Sequence, residues 1–211
     1  MLTLHAADLL IAGPGTDPVP DGAVAVDGGA IAAIGPYEEV AAAFPQARVR
    51  RWRGVLTPGL RQPAAGALLR GAYHPDPREY AELGERPLTG ERLASLEMDE
   101  TRWSGSIRRG LQQMLRHGTT ALAGPLTDPL TATAVARSGL RVLPPAAPAE
   151  AHLDPLRGAA SLADAIASPL TVGGRADFAV FDVPDVSALE AAGAGTCVAT
   201  VLAGRLVHRR R

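Results

Sequence analysis

The sequence predicts a mixed fold class, α/β plus all-β, in which both ends of the chain are β structure and the middle alternates helices and strands. Short apolar runs separated by turns fill residues 2–34, and similar runs return at 176–208. Between them, residues 99–143 switch between helical and strand-like apolar spacing. With 211 residues, 46% of them hydrophobic, the chain is long enough for one domain or two small ones with a buried core.

The N-terminal part is predicted to be β structure with one helix. Residues 2–11 supply the first apolar runs, and residues 13–22 are rich in turn formers. Asp27-Gly28-Gly29 between two apolar runs predicts a hairpin, because these residues tolerate positive φ. Residues 36–44 then predict a short helix, and residues 48–56 predict a strand.

The middle of the chain begins at Thr57-Pro58-Gly59, where a proline without a backbone donor and a permissive glycine predict a domain boundary. Residues 99–117 predict the clearest helix, because apolar residues recur four apart and Gly118 follows as the C′ residue. The next elements are predicted in order as a strand at 119–123, a helix at 130–138 after Asp128 as N-cap and Pro129 as N1, and a strand at 140–143.

The C-terminal part is predicted to return to β structure. A Pro-rich stretch follows residue 143, and residues 161–168 predict a short helix. Residues 176–182 alternate as a strand, and residues 198–202 are expected to pair with 205–208 across a tight turn. Arg209-Arg210-Arg211 is expected to be a fraying basic tail.

The run VLTPGLRQPAAGALLR, Val55 to Arg70, resembles the TPGLVNAHTHL signature of the amidohydrolase superfamily, close to imidazolonepropionases, cytosine deaminase and aminofutalosine-type deaminases. The flanking runs DGAVAVDGGAIAAIG and LTVGGRADFAVFD resemble the two halves of that family's composite β-sandwich. The resemblance implies a sandwich from residues 1–56 and 170–211, with a TIM-barrel-like βα segment at 57–169. Because a full barrel takes about 250 residues, this segment implies a truncated, incomplete barrel of roughly three βα units.

In that family the signature leads into the first barrel strand, so the resemblance implies a strand here. It also implies a catalytic Zn or Fe ion, held first by the signature's His-x-His pair. Those two positions fall on Ala64 and Gly66, which carry no lone pair for a metal. The sequence contains no lysine, which excludes a lysine-derived carbamate bridging two metals. We therefore expect no metal ligands at the family positions and no bound cofactor.

The remaining catalytic candidates are few. The histidines are His5, His74, His117, His152 and His208, and no two are spaced to place both rings on one strand or helix face. His74, with Asp76 beside it in a loop, is the best candidate because it follows the degenerate signature and is expected near the barrel mouth. His117 is expected to cap a helix, and Cys197 to be buried in an apolar strand.

Charge and composition restrict the functional class. The net charge of -1 gives no general attraction to nucleic acid or anionic membrane, and no apolar run is long enough to span a bilayer. One cysteine permits no intramolecular disulfide and indicates no oxidising compartment. Because residues at the N-terminus do not show a basic segment followed by a long apolar run, the cytoplasm is the expected compartment.

Two hypotheses from different classes remain. The first is a non-catalytic amidohydrolase-like pseudo-enzyme or partner subunit. The strands at 119–123 and 140–143 would have an open edge, covered by a homo-oligomer contact or a protein partner. The alternative is a divergent hydrolase or deaminase that acts on carbon-nitrogen bonds of a small cyclic amide or amino heterocycle and completes its site with His74 and Asp76. Metal-free binding of a small-molecule ligand in the open mouth is a third possibility.

Overall fold

The structure is a computed structural model that describes residues 2–147 and 150–210. The strands in these ranges are β1 Leu2–Leu10, β2 Val19–Asp27, β3 Ala30–Pro36, β4 Arg48–Pro58, β5 Leu60–Gln62, β6 Thr119–Ala123, β7 Arg141–Leu143, β8 Phe178–Phe181, β9 Cys197–Leu202 and β10 Arg205–Arg209. The α-helices are α1 Tyr37–Ala43, α2 Ala65–Arg70, α3 Tyr80–Leu83, α4 Gly90–Ala94, α5 Glu100–Leu115, α6 Pro129–Ser138, α7 Leu162–Ala165 and α8 Val186–Ala192. Short 3-10 turns lie at Pro77–Glu79 and Ala194–Thr196.

A seven-stranded, mostly antiparallel sheet is built from both ends of the chain, in the order β10-β9-β8-β4-β1-β2-β3. Strand β4 joins the two halves, because it pairs in parallel with β1 and, through Val55–Pro58, antiparallel with β8. Leu10, Val24, Phe178 and Val201 from both halves meet in one buried core. The β structure predicted for both chain ends therefore forms a single sheet.

The predicted turn at residues 13–22 and the predicted C-terminal tail are both more ordered than expected. Strand β2 starts at Val19, inside the stretch predicted as turn-rich, because it continues its antiparallel ladder with β1 as far as Leu10. The prediction of a fraying tail is wrong for Arg209 and Arg210. Arg209 ends β10, and the Arg210 N–H donates to the Val198 carbonyl at 2.8 Å. Arg211 lies outside the described residues.

A second, parallel sheet has the order β5-β6-β7. One of its faces packs against α2, α5 and α6 through Leu68, Ile107, Leu122 and Val135. Strand β6 is the central strand and all five of its residues are buried, so the expectation that this strand has an open edge is wrong. The edge strand is β7, where the Val142 side chain is 52% exposed.

The Pro-rich segment that follows β7 returns to the outer edge of β5. The Ala167 N–H donates to the Gly59 carbonyl at 2.9 Å, and Ile166 forms an antiparallel bridge with Leu60. Helix α7 is only Leu162–Ala165, shorter than predicted, because Ile166 is already extended for this bridge. The segment thus closes one edge of the small sheet.

Asp177 ties the two sheets together. Its side chain is 5% exposed, and its Oδ1 accepts from Arg175 Nε at 2.9 Å and from the Ala203 N–H at 2.7 Å. Its Oδ2 lies 3.3 Å from Nε of Arg141, the first residue of β7. In the part of the chain that the structure describes, no helix is both long and apolar enough to cross a bilayer.

Candidate functional site

The two family ligand positions, Ala64 and Gly66, lie where a strand has given way to a helix. Strand β5 ends at Gln62, whose Oε1 accepts from the Ala64 N–H at 3.1 Å, and α2 begins at Ala65. Positions i and i+2 share a face on a strand but not on a helix. The backbone here therefore lacks the His-x-His geometry as well as the side chains.

The residues present do not fit the zinc or iron that the resemblance implies. A methyl group at Ala64 and a hydrogen at Gly66 supply no electron pair. Within residues 2–147 and 150–210, no three His, Cys, Asp or Glu side chains come together in a group that could hold a metal ion. No chemical step can be assigned to a metal at these positions.

His74 lies away from the place expected for it. Its side chain is fully buried, and Nε2 donates to the Leu68 carbonyl of α2 at 2.8 Å. Helix α5 closes on the other side of the ring, since a Cβ added to Gly110 would come within 2.7 Å of Nε2. Burial lowers the imidazole pKa, and the charge of Arg109 adds to that effect, although the Leu68 hydrogen bond opposes it. His74 is thus a neutral ring packed between α2 and α5, not at a barrel mouth.

Asp76 is engaged as a cap and does not converge with His74. Its Oδ1 accepts from the Arg78 N–H at 3.1 Å, at the start of the 3-10 turn Pro77–Glu79. Arg109 of α5 contacts both candidates. Its Nη1 lies 3.1 Å from Asp76 Oδ2, and its Nε donates to the His74 carbonyl at 2.8 Å. The Asp76 carboxylate and the His74 backbone therefore share a guanidinium, while the His74 ring points elsewhere.

A hydrogen-bonded network that the sequence did not reveal surrounds this loop. The Tyr73 hydroxyl donates to Glu79 Oε2, while Arg102 donates from Nη2 to Glu79 Oε1 at 2.7 Å and from Nε to the Tyr73 oxygen at 3.1 Å. Burial acts to raise the pKa of Glu79, but hydrogen bonds from Tyr73, the Asp76 N–H and Arg102 outweigh it and lower the pKa. The network anchors the loop to α5, and all its polar groups are used for that purpose.

His117, His152 and Cys197 are in structural settings. His117 Nδ1 donates to the Gln113 carbonyl at 2.9 Å, as expected of a residue at a helix C-terminus. His152 Nδ1 accepts from the Asp154 N–H at 3.0 Å. Burial raises the pKa of the Cys197 thiol to about 11, so this sulfur is a poor nucleophile.

A cavity of about 370 Å³ opens beside Arg61 of β5. Its other walls are mostly small and apolar, with Pro63, Pro155 and Ala159 among them and Asp164 at one side. Arg61 is already engaged, because Nη2 donates to the Pro144 carbonyl at 2.9 Å. The cavity is large enough for a small molecule but has few free polar groups to orient one.

The amidohydrolase resemblance implies a composite β-sandwich from residues 1–56 and 170–211 with a βα segment between its halves. The structure has one seven-stranded sheet made from both chain ends, with a short parallel βα unit between them. The model of the bacterial imidazolonepropionase-like composite domain matches residues 22–47, which span most of β2, then β3 and α1. This match confirms the resemblance to the imidazolonepropionase-like composite domain for this N-terminal part of the large sheet. A search of curated proteins found no match.

Among solved structures, the chain is similar to ochratoxinase from A. niger, with 22% identity, a TM-score of 0.45, and coverage of 68% of this chain and 30% of that one. An adenosine deaminase from Xanthomonas campestris gives 22% identity, a TM-score of 0.39, and coverage of 67% and 33%. Helicobacter pylori aminofutalosine deaminase gives 15% identity, a TM-score of 0.41, and coverage of 74% and 37%. The chain therefore spans about a third of the length of these structures.

Proposed function

We propose that this chain is a non-catalytic, amidohydrolase-like protein that acts as a subunit and pairs with a second copy of itself through β7. The observation that carries the first half of the proposal is the start of α2 at Ala65. It removes the strand geometry at Ala64 and Gly66 on which the family's metal site depends. The same backbone would not present two converging ligands even with histidine at both positions.

The free edge of β7 supports the second half of the proposal. Strand β7 pairs with β6 through Arg141–Leu143, and no strand in the described ranges pairs with its other edge. Val142 is 52% exposed, whereas Leu122, its register partner on β6, is fully buried. Parallel strands are normally covered on both faces, and an open edge with an exposed apolar side chain favours pairing with another strand. Two β7 strands related by a two-fold axis would pair antiparallel and cover Val142 in both copies.

The oligomeric state tests this pairing. Light scattering on the purified protein is expected to give the mass of a dimer, and Val142→Arg is expected to shift it to a monomer because the substitution places two charges in the contact. Val172→Arg is the matched control, since Val172 is 65% exposed and lies outside β7. A monomeric parent protein, or a dimer that Val142→Arg leaves intact, contradicts the proposed contact.

The alternative of a divergent hydrolase or deaminase has no specific support in the site. It would need His74 and Asp76 to act on one substrate, but the His74 ring is buried against Leu68 and Asp76 is held by Arg109.

The cytoplasm remains the compartment that we propose, supported by a single, buried cysteine that forms no disulfide.

A further inference from the structure

The N-terminal half of β4 is a basic strand with a free edge. Residues 48–53 read Arg-Val-Arg-Arg-Trp-Arg. On one side they pair with β1, from Thr3 opposite Arg48 to Ala7 opposite Trp52. On the other side β8 pairs only from Val55 onward. Within the described chain, no strand therefore pairs with residues 48–53 at this second edge of β4. The backbone groups of these residues that point to this edge have no ladder partner.

A groove follows this free edge. It has a volume of about 290 Å³ and lies between β4 and β10, with Arg48, Arg50, Trp52, Leu206 and Arg209 in its walls. No acidic side chain lines it within the described part of the chain. The groove is thus bounded by a strand edge, an aromatic ring and several guanidinium groups.

The positive charge in the groove is largely uncompensated. Arg51 is paired with Asp21 at 2.8 Å, with both side chains more than half exposed. Arg48, Arg50 and Arg209 have no ion pair with any described residue, although Arg209 lies 5.8 Å from the centre of the Trp52 ring. Since the whole chain has a net charge of -1, this is a local concentration of cations and not a general property of the protein.

From these observations we infer that the groove binds an extended, acidic peptide segment of a partner protein, which adds to the free edge of β4 as a strand. Unpaired backbone groups supply the hydrogen bonds of such a strand, and arginines on alternate positions select acidic side chains. Val49, which also lines the groove and is 42% exposed, offers apolar contact between the arginines. A nucleic acid would use the charge and Trp52 but would leave the strand edge unpaired, so the peptide accounts for more of the surface.

The test is fluorescence anisotropy with the full chain and a short, labelled peptide of alternating glutamate and valine. We expect saturable binding that Arg48→Glu with Arg209→Glu weakens by about tenfold or more. The pair Arg86→Glu with Arg108→Glu makes the same change in net charge on exposed residues elsewhere and is expected to leave binding unchanged. Circular dichroism of both double variants verifies that they are folded.

Two further probes separate strand addition from charge alone. The same peptide with N-methyl groups on alternate backbone nitrogens keeps its charge but cannot complete the ladder, and it is expected to lose binding. Absence of saturable binding, equal binding of the N-methylated peptide, or tighter binding of a single-stranded thymidine oligonucleotide would each overturn the inference. The result does not depend on the proposed dimer, because β4 and β7 belong to different sheets.

Discussion

His5 is a buried histidine whose surroundings keep it neutral. Its side chain in β1 is 2% exposed, the Trp52 indole N–H donates to its Nδ1 at 3.3 Å, and the Phe178 ring meets it edge-on at 4.9 Å. Burial, and to a smaller extent the charge of Arg50, lowers the pKa of His5 to about 4. Its protonation is therefore linked to folding.

The sign of that linkage gives a pH prediction. The pKa of His5 is 6.5 in the reference state and about 4 in the fold. Between pH 6.5 and pH 4 the unfolded chain thus binds more protons than the folded chain. The contribution of neutral His5 to the free energy of unfolding is therefore fully present above pH 6.5 and is lost as the pH drops toward 4. The full loss is roughly 3 kcal/mol. Urea unfolding at pH 7 and pH 4.5 should show a smaller pH dependence for His5→Gln than for the parent chain.

The matched control for His5→Gln is His152→Gln, which replaces a half-exposed histidine in the segment after β7. This variant is expected to keep the pH dependence of the parent chain. An unchanged pH dependence in His5→Gln would show that His5 does not carry the effect.

At the scale of elements, α2 sets the backbone conformation at the signature positions Ala64 and Gly66. Ala65, Leu68 and Leu69 are buried at helical spacing, and Leu68 and Leu69 share a core with Ile107 of α5. Packing against α5 thus stabilises a helix where the resemblance implies the continuation of a strand. Local pattern and tertiary contact agree on the helix.

Gly66→Ala tests this helix directly. A Cβ at Gly66 would meet only Leu126 Cδ2 at 3.9 Å, an ordinary contact. Because glycine loses more backbone entropy than alanine when it becomes helical, the substitution in the first turn of α2 is expected to stabilise the protein by about 0.5 kcal/mol, measured by thermal or urea unfolding. Gly59→Ala is the contrasting variant, since its Cβ would lie 2.0 Å from Thr120 Oγ1, and it is expected to destabilise. Destabilisation by Gly66→Ala would contradict a helix at this position.

Elements with strong local signals could be predicted from the sequence. Helix α6 has Asp128 as its N-cap, Pro129 at its first position and a left-handed Gly139 at its end, and each signal acts within a few residues. Helix α5 likewise begins after Asp99, whose side chain accepts from the Arg102 N–H. Such caps fix the ends of an element whatever surrounds it.

The elements and contacts that were missed depend on distant partners or on a misleading resemblance. Helix α2 was hidden because the signature implied a strand. Helix α8 is an exception, because no helix was predicted there even though Asp185 caps it locally by accepting from the Ala188 N–H. The Tyr73–Glu79–Arg102 network needs α5 to be packed against the loop, and no spacing in the sequence indicates which arginine arrives there.

At the scale of the whole molecule, Asp177 joins the sheet from the chain ends to the small parallel sheet. Asp177→Asn removes the charge that pairs with Arg141 and Arg175, which are about a third exposed. We expect a loss of roughly 2 kcal/mol in the free energy of unfolding, measured by urea unfolding. Asp182→Asn, at an exposed position after β8, is the control and should be near neutral. Equal effects of the two variants would show that the link contributes little.

Each of the two sheets contributes to a buried core of its own within the described residues. The shared sheet has its own core, and the parallel sheet is covered by helices on one face and closed at β5 by Ile166 and Ala167. Strand β7 is the side left open, which is where we place the contact with a second copy.

The most direct test of the central claim is the metal content of the protein purified without a His-tag from medium containing zinc and iron, with its mass measured by light scattering on the same sample. The account predicts no stoichiometric zinc or iron in a dimer, because the positions of Ala64 and Gly66 offer neither ligands nor strand geometry. About one metal ion per chain in a stable monomer would contradict it.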